Sequence, residues 1–182
     1  MYILASGSPR RKELLSLIIP EYKCVASGCE EFVPSGTPAE KVPVLLAEQK
    51  ASFVAKDYPD DIVIGSDTVV VLDGEIFGKP HTAERAKEML RRLSGKTHFV
   101  YTGVAVAEKG EVRSFLQKTE VEFYELSDEL IEKYVATGEP MDKAGAYGIQ
   151  GKGSVLVKGI KGDYFNVMGL PVAATARFLD LI

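Results

Sequence analysis

The opening of the chain limits the fold more than any other stretch. Tyr2–Ala5 is a short apolar run typical of a buried strand, and the small residues Ser6-Gly7-Ser8 follow it. A helix is predicted next, with Ser8 as its N-cap and Pro9 at its first position, where the N–H that proline lacks has no helical partner. A buried strand that leads through a short turn into a helix indicates an α/β protein.

The rest of the chain combines helices with hairpins. Asp73-Gly74 lies between two apolar runs, a pattern typical of a two-residue β-turn, and two longer strands meet at Glu108-Lys109-Gly110. These hairpins predict a mixed sheet rather than a purely parallel one. Helices are predicted after Thr82 and Ser127. Further predictions are strands at Tyr22–Ser27, Ile62–Gly65 and Ser154–Lys158, a helix beginning at Pro38 with a kink or at Pro43, and a last helix from Pro171.

Composition argues against several classes of partner. The chain has 182 residues, no internal repeat and a net charge of -4, so we predict one domain over residues 1–182 and no nucleic-acid partner. No apolar run approaches the ~20 residues that span a bilayer, and the N-terminus does not resemble a signal peptide. Cys24 and Cys29 have no partners at zinc-site spacing. We therefore expect a cytoplasmic protein with no membrane partner.

The turn after the first strand is a candidate phosphate site. Backbone N–H groups at a helix start carry partial positive charge, and the hydroxyls of Ser6 and Ser8 lie in the same turn. Arg10 and Arg11 add guanidinium groups, which bind phosphate oxygens in bidentate fashion. Cations at a helix N-terminus oppose the helix dipole, so their presence indicates an external anion. The alternative is a capped helix with a solvated basic first turn.

Acidic residues supply a candidate catalytic and metal site. Asp67 follows the predicted strand Ile62–Gly65, and ligands of α/β sheets collect outside the carboxyl ends of strands. A carboxylate there can bind a metal or accept a proton from water. Glu30 and Glu31 could add oxygen ligands for a hard cation such as Mg²⁺. The alternatives are an Asp that forms a turn and a solvated acidic pair.

Two lysines and a glycine-rich stretch complete the candidates. Lys50, alone on an apolar helix face, and Lys79, between Gly and Pro, could reach phosphates, or both could be surface lysines. In the stretch Asp142–Gly151, Tyr147 could stack on a base and Gln150 could hydrogen-bond a base edge. The alternative for this stretch is a twisted edge strand with bulges. His81 and His98 are interpreted as a loop and a strand-surface histidine.

These segments together resemble the Maf family, and the resemblance covers essentially the whole chain. The matching motifs follow the order of the family: Leu4–Leu15 (LASGSPRRKELL), Gly65–Val70 (GSDTVV), Gly78-Lys79-Pro80, Asp142–Gly151 (DKAGAYGIQG), and Gly162-Asp163-Tyr164 with Gly169-Leu170-Pro171. Each motif alone is weak, but five in series are specific.

The resemblance implies a fold and an activity. Maf proteins have a single α/β domain with a long bent mixed β-sheet flanked by helices and a deep cleft, similar to inosine triphosphate pyrophosphatases. They are cytoplasmic and hydrolyse nucleoside triphosphates to the monophosphate and pyrophosphate with a divalent cation, here expected to be Mg²⁺ or Mn²⁺. The family's proton acceptor corresponds to Asp67. Positions associated with substrate choice correspond to Arg10, Thr68 and Gln150.

The resemblance also bears on the substrate. The string Ala144–Gln150 is similar to the branch of the family that acts on dTTP and UTP. Two alternatives stay open: a nucleotide-binding regulator of septum formation without important catalysis, and a pyrophosphatase for ITP or XTP. A homodimer is one expectation for the assembly, which stays open.

Overall fold

The computed structural model describes all 182 residues, which form seven strands, six helices and four short 3₁₀ turns. The strands are β1 (Tyr2–Leu4), β2 (Lys23–Cys24), β3 (Ile62–Leu72), β4 (Glu75–Phe77), β5 (Thr97–Glu108), β6 (Glu111–Phe123) and β7 (Val157–Lys161). The helices are α1 (Pro9–Ser16), α2 (Val42–Ala55), α3 (Ala83–Leu93), α4 (Asp128–Val135), α5 (Tyr164–Met168) and α6 (Val172–Phe178). The 3₁₀ turns are Ala39–Lys41, Glu139–Asp142, Ala144–Ala146 and Gly151–Leu156. No helix is both long enough and apolar enough to cross a membrane.

All seven strands belong to one mixed sheet, as predicted. The strand order is β2-β1-β3-β5-β6-β7, and β4 pairs with β3. β1 is parallel to both β2 and β3, whereas β3–β4 and β6–β7 are antiparallel. The predicted hairpin is confirmed, because Leu72 pairs with Glu75 across Asp73-Gly74. Both turn residues have positive φ, 51° for Asp73 and 81° for Gly74, as the common two-residue hairpin turn requires.

The residues divide into two compact units. The first comprises Met1–Thr68, Thr102–Gln117 and Phe165–Ile182, and the second comprises Val69–Tyr101 and Lys118–Tyr164. The long strands β3, β5 and β6 each contribute residues to both units. That the chain works as one domain over residues 1–182 stays a prediction.

Helix α2 lies directly on the sheet in the first unit, because glycines face it. A Cβ atom at Gly65 would lie 2.3 Å from the carbonyl oxygen of Ala47 and 2.9 Å from the nitrogen of Ala51. A Cβ at Gly103 would lie 2.3 Å from the carbonyl oxygen of Pro43. Only glycine permits backbones to approach this closely. The core beneath the helix is built from small and β-branched residues: Ile3, Ala5, Ala47, Ala51, Val54, Val63, Ala105 and Ala107.

The predicted helix starts are confirmed by their caps. The hydroxyl of Ser8 accepts a hydrogen bond from the backbone N–H of Arg11 at 3.5 Å, and Thr82 and Ser127 cap α3 and α4 in the same way. The two alternatives for α2 resolve as a 3₁₀ turn after Pro38 that leads into a helix beginning at Val42.

Three strand predictions differ from the structure. The strand predicted to end at Gly65 continues to Leu72, because its second half pairs with β4 and its polar residues find side-chain partners. The second strand is confined to Lys23–Cys24. The strand predicted at Ser154–Lys158 begins only at Val157, because residues 151–156 form a 3₁₀ turn whose first N–H groups are bonded elsewhere.

Candidate active site

An ion-paired cluster lies on β3 in the first unit. The ammonium nitrogen Nζ of Lys50 is 2.6 Å from Oδ1 of Asp67 and 2.9 Å from Oε1 of Glu31. The side chains of Lys50 and Asp67 are each 14% exposed, whereas that of Glu31 is 49% exposed. The cluster therefore combines two largely buried charges with one carboxylate that water reaches.

Strand geometry explains where Asp67 sits. The last β3 residue that pairs with β1 is Ile64, opposite Leu4, and Asp67 follows it by three positions. The carboxylate is therefore beyond the end of β1, although it lies within β3 and not at the end of that strand as predicted. Asp67 and Thr68 are the half-buried pair in the middle of a strand that is otherwise mostly buried.

The close contact of α2 with β3 brings Lys50 to Asp67. Gly65 is two residues before Asp67, and the α2 atoms that a Cβ at Gly65 would strike belong to Ala47 and Ala51, on either side of Lys50. Without a side chain at Gly65 the helix backbone rests on the strand, and the lysine spans the short remaining distance. Lys50 is thus largely buried beside Asp67 and is not a surface lysine, and that it contacts a phosphate stays a prediction.

A glutamine that sequence reasoning missed holds the segment that carries Glu31. The side-chain Oε1 of Gln49 accepts from the backbone N–H of Phe32 at 2.9 Å, and its Nε2 donates to the Phe32 carbonyl at 2.6 Å. Gln49 precedes Lys50 in α2, and Phe32 follows Glu31 in the chain. The two bonds therefore hold the segment that carries Glu31 against α2, close to Lys50. Both predicted glutamates are exposed, and Glu31 is the one that forms an ion pair with Lys50.

The turn before α1 carries hydroxyl and guanidinium groups, as predicted. Oγ of Ser6 accepts from the backbone N–H of Ser8 at 3.2 Å, while Oγ of Ser8 caps the helix. Because both oxygens act as acceptors in these bonds, each hydroxyl can still donate its proton to an anion. Arg10 is half-buried in the first turn of α1.

Arg11 has partners within the chain that the sequence did not reveal. Its Nε donates to the carbonyl of Gly169 at 2.9 Å, its Nη2 to Oγ1 of Thr68 at 3.2 Å and its Nη1 to Oγ of Ser6 at 3.5 Å. Burial lowers the pKa of the guanidinium, and the nearby carboxylates of Asp67 and Glu31 oppose that shift. Arg11 therefore connects α1, β3 and the segment before α6, in addition to any contact with an anion.

A chain of hydroxyl groups continues from Arg11 into the core. Oγ1 of Thr68 and Oγ1 of Thr102 are 2.9 Å apart, and Thr102 donates to the carbonyl of Asn166 at 2.9 Å. Ser66 donates to the Gly169 carbonyl at 3.0 Å. Thr68, predicted to influence substrate choice, is thus held by Arg11 and by the neighbouring strand β5.

The carboxylates of Asp67 and Glu31 could supply part of the coordination shell of a divalent cation. Two carboxylate oxygens, from Asp67 and Glu31, converge on the same cationic nitrogen, so both already face one positive centre. No group of three or more His, Cys, Asp or Glu residues in the described chain could hold a metal ion. Mg²⁺ typically takes one or two protein carboxylates and completes its shell with water and substrate phosphates. The pair matches that pattern and does not match a closed structural site.

The second unit contains the glycine-rich stretch, and its backbone is held by two side chains. The carboxylate of Glu139 accepts from the backbone N–H groups of Lys152 and Gly153 and from the hydroxyl of Tyr134, each at 3.0 Å. The same hydroxyl accepts from the N–H of Gly148 at 3.0 Å. Burial tends to raise the pKa of Glu139, but these hydrogen bonds and Lys143 lower it below its ordinary value. The stretch forms 3₁₀ turns and no edge strand.

Tyr147 and His98 differ from their predicted roles. Tyr147 is buried, and its hydroxyl lies 2.8 Å from Nε2 of His98. Its ring packs edge-on against Phe123, so it cannot stack on a base. His98 is also fully buried and is not a surface residue, because β5 turns it toward the core. Burial lowers its pKa to about 4, and its Nδ1 has no hydrogen-bond partner.

Two more predicted residues lie in the second unit. Lys79 is exposed in the segment between β4 and α3, and the carbonyl of the preceding Gly78 accepts from the N–H of Gly145. Gln150 is half-buried between the anchored residues Gly148 and Lys152. That Lys79 contacts a phosphate and that Gln150 contacts a base stay predictions.

The fold and this cluster define an α/β protein with a mixed sheet and a charged site formed by β3, α2 and the first turn of α1. The chain belongs to the family described as Maf-like protein, whose model matches residues 1–182. A dTTP/UTP pyrophosphatase of Bacillus cytotoxicus is 52% identical to it, over 98% of this chain and 93% of that protein. Another dTTP/UTP pyrophosphatase, from Bacillus cereus, is 52% identical over 97% of this chain and 93% of its own length.

Solved structures are more distant. A HAM1 protein from Coxiella burnetii is 18% identical with a TM-score of 0.49, over 67% of this chain and 72% of that one. A nucleoside-triphosphatase, also described as a dITP/XTP pyrophosphatase, from Mycobacterium abscessus is 15% identical with a TM-score of 0.48, over 99% and 97% of the two chains.

Proposed function

We propose that this Maf-like protein hydrolyses nucleoside triphosphates, preferably dTTP and UTP, to the monophosphate and pyrophosphate, with a divalent metal ion. The observation that carries the proposal is the arrangement around Asp67: a largely buried carboxylate and lysine, a second carboxylate, and the hydroxyl and guanidinium groups of the neighbouring turn. The match to dTTP/UTP pyrophosphatases over nearly the whole chain supports the choice of substrate.

The chain's own groups suit a triphosphate. Such a ligand brings about four negative charges, which catalysis of phosphoryl transfer must neutralise. Lys50 offers a compact ammonium, Arg10 a guanidinium, and Ser6 and Ser8 hydroxyl donors at a helix start. Lys79 is proposed as a further phosphate ligand. Arg11 is proposed to contribute charge while its hydrogen bonds hold Thr68 in place.

Asp67 is the proposed proton acceptor. Its carboxylate is largely buried beside the Lys50 ammonium, 2.6 Å away, and a carboxylate in such a position can take a proton from an attacking water molecule. The water would attack the α-phosphorus, and pyrophosphate would leave. A pure nucleotide-binding protein gains nothing from a carboxylate placed beside a phosphate chain, because the two charges repel.

Asp67 and Glu31 are the residues proposed to hold the metal, because both carboxylates face Lys50, and Glu30 is the further candidate next to Glu31. The ion would supply positive charge against the phosphate oxygens. Mg²⁺ and Mn²⁺ both fit an oxygen-only donor set, in which the substrate provides the missing ligands. Cytoplasmic location, the lack of nucleic-acid and membrane partners, and homodimer formation stay predictions from the sequence.

A turnover screen tests the proposal. Purified protein is incubated with dTTP, UTP, CTP, GTP, ITP, XTP and 7-methyl-GTP in the presence of Mg²⁺, Mn²⁺ or Co²⁺. Phosphate is measured after adding inorganic pyrophosphatase, and a parallel reaction without it reports direct release of phosphate. Signal that needs the added pyrophosphatase, led by dTTP and UTP, is the expected result. Because inorganic pyrophosphatase itself needs Mg²⁺, the EDTA test follows formation of the monophosphate directly by chromatography, and EDTA should abolish it.

Each other outcome rejects a defined part of the proposal. A lead for ITP or XTP identifies a purine house-cleaning enzyme and rejects the pyrimidine assignment. Full turnover in exhaustive chelator rejects the metal. Tight nucleotide binding without turnover of any substrate rejects catalysis and favours the regulator of septum formation.

A further inference from the structure

The anchoring of the glycine-rich stretch points to a residue that determines base selectivity without touching the base. We propose that Glu139, together with Tyr134, is a positioning residue that holds the backbone on both sides of Gln150. The inference rests on the proposed function, in which Gln150 hydrogen-bonds the edge of uracil or thymine. Nothing in the sequence pattern that identifies Gln150 indicates a role for Glu139.

Backbone N–H groups on both sides of Gln150 donate hydrogen bonds to Tyr134 or Glu139. Two residues before it, the N–H of Gly148 donates to the Tyr134 hydroxyl at 3.0 Å. Two residues after it, the N–H of Lys152 donates to Oε2 of Glu139 at 3.0 Å, and three residues after it the N–H of Gly153 donates to Oε1 at 3.0 Å. The Tyr134 hydroxyl donates to Oε1 of Glu139, which joins the two sides into one network.

Steric constraints show that the segment is shaped to fit this network. A Cβ at Gly151 would lie 2.8 Å from Oε2 of Glu139, and the residue has a φ of +65°. A Cβ at Gly153 would lie 2.7 Å from the Tyr134 hydroxyl and 2.2 Å from the carbonyl oxygen of Gly148. The glycines therefore let the backbone close around the two side chains.

The Glu139 carboxylate is itself held in place. Tyr134 is buried and has its pKa raised by burial, so its hydroxyl stays protonated and donates to the carboxylate. Lys143 donates to the carbonyl of Glu139 at 2.7 Å, and the N–H of Glu139 donates to the hydroxyl of Thr137 at 3.2 Å. Both the backbone and the side chain of Glu139 thus have fixed partners.

A fixed backbone matters because an amide distinguishes pyrimidines only in a fixed orientation. Uracil and thymine present an acceptor beside a donor, whereas cytosine reverses part of this pattern. A site that is built for one pattern rejects the other because polar groups would be left unpaired. If the segment could shift or twist, the Gln150 amide could adapt to either pattern and the discrimination would fall.

The test is the selectivity ratio, kcat/KM for UTP divided by kcat/KM for CTP, in Glu139→Gln. Glutamine is isosteric, but in either orientation its NH₂ group would face one of the two backbone N–H groups that donate to the Glu139 carboxylate. We expect UTP turnover to fall more than CTP turnover, so that the ratio falls about tenfold, the worth of one well-aligned hydrogen bond. Tyr134→Phe should lower the ratio in the same direction. Glu122→Gln is the matched control, since Glu122 forms an exposed ion pair with Lys158 in the same unit.

Two further readouts separate positioning from general stability. Amide hydrogen exchange of Gly148, Lys152 and Gly153 should speed up in Glu139→Gln and not in the control. In a Gln150→Ala background, adding Glu139→Gln should leave the ratio unchanged, because the group being positioned is gone. If Glu139→Gln does not fold, Glu139→Asp and Tyr134→Phe take its place in both measurements.

The outcomes distinguish the two hypotheses. A wild-type protein that turns over neither UTP nor dTTP overturns the proposed function and with it this inference. A wild-type protein that prefers UTP, with an unchanged ratio in folded Glu139→Gln, overturns the inference alone. A ratio that falls equally with and without the Gln150 side chain means that Glu139 acts on the fold and not through Gln150.

Discussion

The two compact units hold their polar groups in different ways. Around Asp67 in the first unit, charged side chains pair with one another: Lys50 contacts both Asp67 and Glu31. Around the glycine-rich stretch in the second unit, backbone N–H groups bind to side chains that are themselves buried or fixed, such as Tyr134. In the first region side-chain charges are paired with one another, and in the second region side chains hold the backbone in one conformation.

The difference matches two kinds of chemistry. A lysine ammonium is a compact charge on a flexible stem, so it can exchange a carboxylate partner for a phosphate without a change in the backbone. Backbone amides bonded to a fixed carboxylate cannot rearrange without leaving donors unsatisfied. We therefore expect substitutions in the ion pairs of the first region to act mainly on activity, and substitutions in the second region to act on stability and selectivity.

The largest effect is expected at Asp67. Asp67→Asn should leave a folded protein, because the amide has the same size and its oxygen can still accept from Lys50. Turnover should fall about 10²–10⁴-fold, as is typical when a general base is removed. The measurement is kcat with dTTP, alongside thermal melting. Asp61→Asn, which removes a partner of the N-terminal amine, is the control. Near-normal turnover in folded Asp67→Asn would contradict the assignment.

In the second unit, pH should reveal the buried histidine. Burial lowers the pKa of His98 from 6.5 to about 4, so the unfolded chain binds its proton more readily. The contribution to stability is present above the unfolded pKa of 6.5 and is lost as the pH falls through the folded pKa. The loss amounts to about 3 kcal/mol in the free energy of unfolding. Urea unfolding of wild type and His98→Gln, from neutral pH to about pH 4, measures it.

We expect the free energy of unfolding to depend less on pH in His98→Gln than in the wild type. His81→Asn serves as the control, because His81 is exposed and asparagine tolerates its φ of 61°. Identical pH profiles for wild type and His98→Gln would show that His98 is not protected from protonation in the folded protein.

Arg11 tests whether the first region is purely a binding site. Arg11→Ala should lower the free energy of unfolding by about 1–3 kcal/mol, because the Gly169 carbonyl and the Thr68 hydroxyl lose a charged donor. Arg91→Ala, which breaks an exposed pair with Asp128, should cost less than about 1 kcal/mol. Denaturant unfolding of both variants provides the comparison. If Arg11→Ala keeps its stability but loses turnover, Arg11 acts only in phosphate binding and does not stabilise the fold.

The smallest effect is expected at Gln49, whose side chain bonds to the backbone of Phe32, next to Glu31. Gln49→Ala removes two hydrogen bonds to Phe32 and frees the segment that carries Glu31. The apparent affinity for Mn²⁺, titrated by EPR in the presence of a non-hydrolysable UTP analogue, should fall about fivefold, close to the worth of one hydrogen bond. Gln117→Ala on β6 is the control. An unchanged affinity would mean that Glu31 is not a metal ligand or does not depend on Gln49.

Much of the site could be predicted because its residues lie in short motifs with local physical meaning. Ser8 caps α1 through a bond to a residue three positions away, and Asp73-Gly74 forms its turn from its own dihedral angles. Asp67 could be named as a candidate from its motif even though its strand continues to Leu72, and its catalytic role stays a prediction. The strand end was predicted wrongly because Ser66, Asp67 and Thr68 are polar residues typical of a turn. In the structure their side chains bond to Gly169, Lys50 and Thr102, and the strand continues.

The residues that escaped prediction act over long sequence separations. Gln49 contacts Phe32, Glu139 contacts Gly153, and His98 contacts Tyr147. Tyr147 lies in a motif that suggested stacking on a base, and its burial against Phe123 excludes that role. A pattern of neighbouring residues contains no information about a partner that only packing brings close.

The sequence by itself determined the mixed α/β architecture, the capped helix starts, the β3–β4 hairpin and, through five motifs in order, the family. Each of these depends on residues within a few positions of one another or on their order along the chain. Only the tertiary structure decided that Lys50 pairs with Asp67, that Arg11 bonds to Gly169, and that Glu139 holds the backbone around Gln150. Those contacts exist because glycines let α2 lie on the sheet and let residues 148–153 close around a carboxylate, and such close approach is a property of the packed chain.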